Sequence, residues 1–155
     1  MERVNAILCH ETYQRLMAQI TEQERDRIFC KHGIAHQLDV ARIGMLIAFE
    51  QKIHISRPQL YAAALLHDIG RAVSGLDHEQ CSVKLAEPIL KDVGFSGEEQ
   101  REILEAIAAH RDSGGGSDLA WLLYRADKLS RNCFACEARQ MCYWPEERKN
   151  NEVIY

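Results

Sequence analysis

Apolar residues recur along this chain with the period of a helix almost from its first position. Val4, Ile7 and Leu8, then Leu16, Met17 and Ile20, fall on one face of an α-helix, which is predicted from Val4 to Ile20. A polar helical turn follows around Glu22 to Phe29, and Gly33 is a break. A long helix is predicted from about Ile34 to His54. Ser56 can cap the next, which carries Pro58 in its first turn and stops at Gly70. Another helix starts near Asp77 and runs past Pro88, a residue expected to kink or divide it. Ser96-Gly-Glu-Glu99 has capping-box spacing and opens a helix to about His110. Ser113 to Gly116 reads as a loop, and Ser117 or Asp118 caps a helix through about Leu129. The tail from Pro145 to Tyr155 is polar and carries no periodic signal.

No alternating pattern of useful length marks a strand, so the predicted fold class is all-α, a helical bundle of about six to seven helices. At 155 residues, one domain is the default. Within it, residues 1–30 form an N-terminal helical segment packing on the core, 31–130 the core, and 131–155 a cysteine-containing C-terminal segment.

Charge narrows the function classes. A net charge of −4 and a pI near 6.0 argue against a nucleic-acid polymer as partner, while leaving room for a local basic pocket that takes a small anion. The longest apolar run, around Tyr61 to Leu66, is too short to cross a bilayer, and no leader pattern is visible. A cytoplasmic location is expected, with no membrane partner. In that compartment the six cysteines read as free thiols or metal ligands before they read as disulfides.

The chemistry concentrates in a few polar residues at the ends of apolar stripes. Ala62-Ala-Ala-Leu-Leu-His67-Asp68-Ile-Gly-Arg71 is apolar and then abruptly ionic. His36 shares a face with Val40, Ile43 and Ile47, and His110 with Ile103 and Ile107. Asp127 shares one with Ala120 and Leu123, and His78 stacks with Cys81, Ser82 and Leu85. A lone histidine on an apolar face is usually a satisfied core residue. That account weakens when several histidines and two aspartates need it together, because a buried carboxylate requires a partner. A metal cation supplies one, pairing the carboxylates and using neutral imidazole lone pairs.

With His36, His67-Asp68 and Asp127 in Arg-Ala-Asp-Lys-Leu, the chain resembles the HD superfamily of metal-dependent phosphohydrolases from about His32 to Ser130. His78 and His110 fall where binuclear members place their second-metal ligands. The order H…HD…H…H…D is similar to small bacterial HD proteins that hydrolyse dinucleoside tetraphosphates at a di-iron centre. By that resemblance Asp68 bridges two metals, His36, His67 and Asp127 hold one, and His78 and His110 hold the other. His67 and Asp68 would be the catalytic pair. The implied cofactor is one or two divalent transition ions, with Fe, Mn, Zn, Co and Ni all suited to such N/O ligands. The implied reaction is hydrolysis of a phosphoester or phosphoanhydride by a metal-activated hydroxide. Arg71 stands where lysine is frequent in the family. No Gly-Tyr-Pro motif follows His110, which argues against a cyclic-di-GMP phosphodiesterase of that subclass.

Phosphate needs cations, and Arg71, Arg111 and Lys128 each follow a ligand position directly or closely; Arg131, Lys31 and His32 are weaker candidates. Cys133-x-x-Cys136 with Cys142 is half of a zinc knuckle plus one, and Cys30 is the best fourth. A structural zinc is the leading reading. An iron–sulfur cluster lacks the usual spacing, and reduced thiols packed in the tail are the plain alternative. Cys9 and Cys81 read as small core residues. The expected partner is a small phosphorylated substrate of nucleotide type, and a homodimer is allowed. A regulatory module that binds metal and nucleotide without turnover needs the same residues, so the sequence does not separate it from an enzyme.

Overall fold

The computed structural model describes residues 1–111 and 116–155. Among them are seven α-helices and no strand. They are α1 (Glu2–Cys9), α2 (Glu11–Gln23), α3 (Ile34–Glu50), α4 (Arg57–Leu66), α5 (His78–Asp92), α6 (Gly97–Ala109) and α7 (Asp118–Leu129). The loop expected at Ser113–Gly116 lies mostly outside the described residues.

Helix α4 is the axis of the bundle. Its residues from Gln59 to Leu66 are buried apart from the half-buried Tyr61, and α1, α3, α6 and α7 pack round it. A helix that is apolar on every side belongs in a core, and the run Ala62-Ala63-Ala64 is small enough for neighbours to come close. The apolar faces of α1 and α2, carrying Val4, Ile7, Tyr13 and Leu16, join the same core.

Several boundaries differ from those expected. The single helix from Val4 to Ile20 is two, because His10 adopts an extended conformation (φ −70°, ψ 126°). Its Nδ1 accepts the Thr12 N–H at 3.2 Å, so a histidine plays the capping part usually taken by Ser, Thr or Asp. The polar turn after Glu22 is non-helical beyond Gln23 apart from a short turn. Helix α3 stops at Glu50, short of His54, in a Schellman closure. Ile53 N–H bonds Ala48 O at 2.8 Å, Lys52 N–H bonds Phe49 O at 3.3 Å, and Lys52 takes the left-handed φ of 57°. Pro88 does not divide α5: it is exposed, and Lys84, whose carbonyl loses a donor, is also exposed and can be met by water. Ser96 and Glu99 form the expected capping box, and Ser117 rather than Asp118 caps α7.

The correction that matters most for the site is at the end of α4. The helix ends at Leu66, not Gly70, and the chain turns through His67 and Asp68 into a 3-10 turn, Ile69–Ala72. That turn packs under the start of α5. A Cβ on Gly70 would collide with the His78 carbonyl and sit 2.5 Å from Ser82 N and 2.8 Å from Cys81 Cβ. Ser82 Oγ accepts the Gly70 N–H at 2.8 Å. Glycine is therefore required by close backbone approach, and that approach carries His78 towards Asp68.

Candidate metal centre

Helix ends deliver six side chains to one place. His36 comes from the first turn of α3, and His67 and Asp68 from the end of α4. His78 opens α5, His110 closes α6, and Asp127 lies in the last turn of α7. His67, Asp68, His78 and His110 are each no more than 3% exposed.

Local hydrogen bonds set the tautomers. His67 Nδ1–H donates to Ala64 O at 2.8 Å, and His110 Nδ1–H to Ile107 O at 2.6 Å. In both cases a histidine at a helix end satisfies a carbonyl left over in the last turn. Ser130 donates its hydroxyl to Asp127 O at 2.8 Å, so its Oγ is free to accept His36 Nδ1–H at 3.2 Å. Each of these three rings is left with an Nε2 lone pair, and all three point inward.

The lone pairs meet carboxylates. His67 Nε2 is 3.2 Å and His36 Nε2 3.7 Å from Asp68 Oδ2. His36 Nε2 is 3.4 Å and His67 Nε2 3.9 Å from Asp127 Oδ1. On the other side, His78 Nε2 is 3.0 Å and His110 Nε2 3.8 Å from Asp68 Oδ1. Two groups result whose ligand atoms all lie within 4.8 Å of one another: His36, His67 and Asp127, and Asp68, His78 and His110. Lone pairs facing carboxylate oxygens in a buried place repel unless a cation stands between them. The donor set therefore fits a metal. His78 Nδ1 is buried with no hydrogen-bond partner, so the ring has no local anchor to set its tautomer.

Electrostatics separate His67 from the other two rings. Burial, helped by the neighbouring His67, pushes His36 and His110 down to about 4, which keeps both imidazoles neutral and able to ligate near pH 7. Burial also opposes charge on His67, but Asp68 outweighs it and the pKa rises. Burial opposes charge on Asp68 too, yet His67, His78 and Arg71 hold its carboxyl well below the usual range. Asp127 is lowered in the same way, with His67 and Lys128 outweighing burial.

The three phosphate candidates are placed differently. Arg71 is in the site: its Nε donates to Asp68 Oδ1 at 2.9 Å and a terminal nitrogen lies 3.2 Å from His78 Nε2. Lys128 Nζ donates to Asp127 Oδ2 at 2.5 Å and stays partly exposed. Arg111 is half-exposed and binds Leu76 O at 3.0 Å and Glu79 at 3.3 Å, so its contacts clamp the start of α5 instead.

One pair was undervalued from the sequence. Glu24 accepts His32 Nδ1–H at 2.5 Å and the His32 backbone N–H at 2.7 Å, and His32 Nε2 lies 3.9 Å from Asp68 Oδ2. His32 is a buried seventh imidazole-or-carboxylate group at the edge of the centre, not a surface charge. The cysteines lie apart from both groups, and all six are free thiols; no three of Cys30, Cys133, Cys136 and Cys142 bring their sulfurs within 4.8 Å of one another, as one zinc ion would require.

The HD domain family model matches residues 33–132, the span from the break before α3 to just past α7. The chain belongs to the HD domain family. This HD protein is 39% identical, over the whole of both chains, to an uncharacterized protein of Clostridium beijerinckii. It is also 35% identical to a ribonuclease Y of Acetivibrio thermocellus over 63% of its own length, a stretch that is only 17% of that enzyme. No solved structure matches it. The superfamily consists mostly of metal-dependent phosphohydrolases, and the buried His/Asp cluster of this member can bind metal. Among the described residues no helix is long and apolar enough to cross a membrane.

Proposed function

We propose that this HD protein is a binuclear metal-dependent phosphohydrolase acting on a phosphoester or phosphoanhydride of a small, nucleotide-type substrate. The observation that carries the reading is the division of the Asp68 carboxylate. Its Oδ2 faces His67 and His36, and its Oδ1 faces His78 and His110, so one side chain belongs to both ligand groups. When bound, divalent transition ions at such a site supply Lewis acidity towards phosphate and make water acidic enough to attack near neutral pH.

The chain's own residues do the rest. His36, His67 and Asp127 would hold one ion, His78 and His110 the other, and Asp68 both. Ala64, Ile107 and Ser130 keep three of the imidazoles in the ligating tautomer. Arg71 touches the Asp68 oxygen on the His78 side, and Lys128 sits on the outer oxygen of Asp127. Both are partly exposed, so each can turn to a phosphate oxygen of an arriving substrate, where Arg and Lys pair directly with the charge. A net negative surface disfavours a long nucleic acid and leaves these local cations to select a small phosphate.

The test is transition-metal content per chain in wild type and Asp68→Ala, followed by a screen of nucleoside and dinucleoside polyphosphates. The expected result is loss of about two ions in the variant and hydrolysis only by the loaded wild type. A metal content unchanged from wild type in Asp68→Ala would overturn the site. Tight nucleotide binding by loaded protein without turnover would make it a regulatory module instead.

A further inference from the structure

The C-terminal segment poses a problem that apolar burial does not solve. From Arg131 to Tyr155 there is nothing longer than a single 3-10 turn: Cys133–Ala135, Arg139–Met141 and Glu146–Arg148. Among its hydrophobic residues only Ala138 is buried, while Phe134, Met141, Tyr143, Val153 and Ile154 are exposed. A stretch with so little core needs another source of order.

Four cysteines lie where such a source would act. Backbone hydrogen bonds string three of them together: Cys136 N–H to Cys133 O at 3.3 Å, Arg139 N–H to Cys136 O at 3.1 Å and Cys142 N–H to Arg139 O at 3.2 Å. Arg139 also ties back to Cys133 O at 3.2 Å. The fourth, Cys30, comes from the distant loop between α2 and α3. Its neighbour Phe29 meets Tyr143, the neighbour of Cys142, edge-on at 6.1 Å. Cys30 is exposed at the surface, yet partial desolvation raises its thiol, and Cys133 and Cys136 are close enough to add to the effect. Cys9 and Cys81 lie outside this group, on α1 and α5.

The separation of the sulfurs favours a ligand larger than one ion. A tetrahedral zinc with bonds of about 2.3 Å holds its thiolates roughly 3.8 Å apart. No three of these sulfurs lie within even 4.8 Å of one another. An iron–sulfur cluster shares four thiolates between several irons and so holds them further apart than one ion can. The order Cys-x-x-Cys, five residues, then Cys142, with a remote fourth, departs from the common ferredoxin spacings, so the separation of the sulfurs and not the sequence pattern carries the choice.

We propose that Cys30, Cys133, Cys136 and Cys142 hold an iron–sulfur cluster that staples the C-terminal segment to the loop before α3. This cluster is separate from the His/Asp centre and does not depend on the function proposed for it. Arg27, which donates to Cys30 O at 2.8 Å, and Arg131 and Arg139 supply positive charge beside a net-negative cluster. Two residues past Cys30 stands His32, so the staple also fixes the loop that presents His32 to Asp68.

The experiment is acid-labile sulfide and iron, with Mössbauer spectra, on full-length protein purified without oxygen. Sulfide is the readout because the His/Asp centre contains none. The expected result is sulfide in wild type, in Asp68→Ala and in the Cys9→Ser and Cys81→Ser controls, and its loss in Cys136→Ser. Absence of sulfide from oxygen-free wild type overturns the proposal, and needs no variant to fold. Zinc kept in Asp68→Ala and lost in Cys136→Ser would replace the cluster with a single ion of wider geometry. Sulfide kept in folded Cys136→Ser would overturn the ligand assignment. Loss of iron in Asp68→Ala with sulfide unchanged would bear only on the His/Asp centre.

Discussion

Asp68 has its two oxygens committed to two sets of imidazoles, so everything that aims its neighbours matters at the scale of single atoms. Gly70 is the clearest case. A methyl there meets the His78 carbonyl and two atoms of the following turn, none of which is the free end of a side chain. Gly70→Ala is expected to cost about 1–3 kcal/mol, the scale of overpacking, and to move His78 away from Asp68 Oδ1. Denaturant melts would give the first effect, and a metal titration the second: one class of site is lost and the His36–His67–Asp127 class survives. Two unchanged classes would mean that α5 does not depend on this contact. The six clustered residues were legible in the sequence because each sits at the end of an apolar helical stripe. Glu24 and His32 were not, since they are joined across a non-helical loop where no period relates them. The contact between Arg111 and Glu79 was not legible either, because the two are far apart in sequence. Glu24→Gln is expected to weaken metal binding without unfolding the protein, by a factor of 10 to 100, the usual range for a carboxylate behind an imidazole; calorimetric titration would read it, and an unchanged affinity would leave His32 outside the centre.

At the scale of elements, caps decide where helices stop, and caps are only partly legible. Ser96 and Glu99 gave a reciprocal capping signal that the structure repeats. His10 and Lys52 gave none, because neither residue type usually holds the position it holds here. Glu99 does double duty: it caps α6 and binds Arg3 of α1 at 2.6 Å and 2.8 Å, clamping the first helix onto the sixth. Arg3 above all, with the Ser96 backbone, lowers the Glu99 pKa from 4.5 to about 2. The sign follows directly. The folded state binds the Glu99 proton more weakly than the unfolded chain, so this contribution is complete above pH 4.5 and is lost as pH falls towards 2. Glu99→Gln is expected to lower stability by about 1 kcal/mol at pH 7, a capping-scale effect rather than a value taken from the shift, since Glu99 is partly exposed and screened. The gap between variant and wild type should narrow through that acid window. A gap that stays constant in pH would assign the effect to packing.

For the whole molecule, the composition and period of the chain already implied an all-α bundle, and the family match spans its core from 33 to 132. The tail could not be read in the same way, because turns without an apolar face carry no period. What joins the bundle as a unit is the centre itself: α3, α4, α5, α6 and α7 each contribute to it, and their ligands come from positions as far apart as 36 and 127. Neither ligand group is local in sequence, one spanning 36 to 127 and the other 68 to 110, so a metal bound there is bound by the folded state and not by the unfolded one. Linkage then requires that metal stabilise the entire fold, by about 2.7 kcal/mol at a hundredfold excess over the dissociation constant. For a chain of this length that corresponds to a rise in Tm of roughly 5–10 °C. The measurement is a series of calorimetric melts on chelator-treated protein with increasing Mn(II), expected to rise with the logarithm of free metal. The same series on Asp68→Ala should be flat, because the carboxylate that faces both sets of imidazoles is gone. If wild type is also flat, the inward lone pairs are satisfied without metal and the centre is a polar core; if the variant rises as steeply as wild type, the stabilising ion sits elsewhere on the chain.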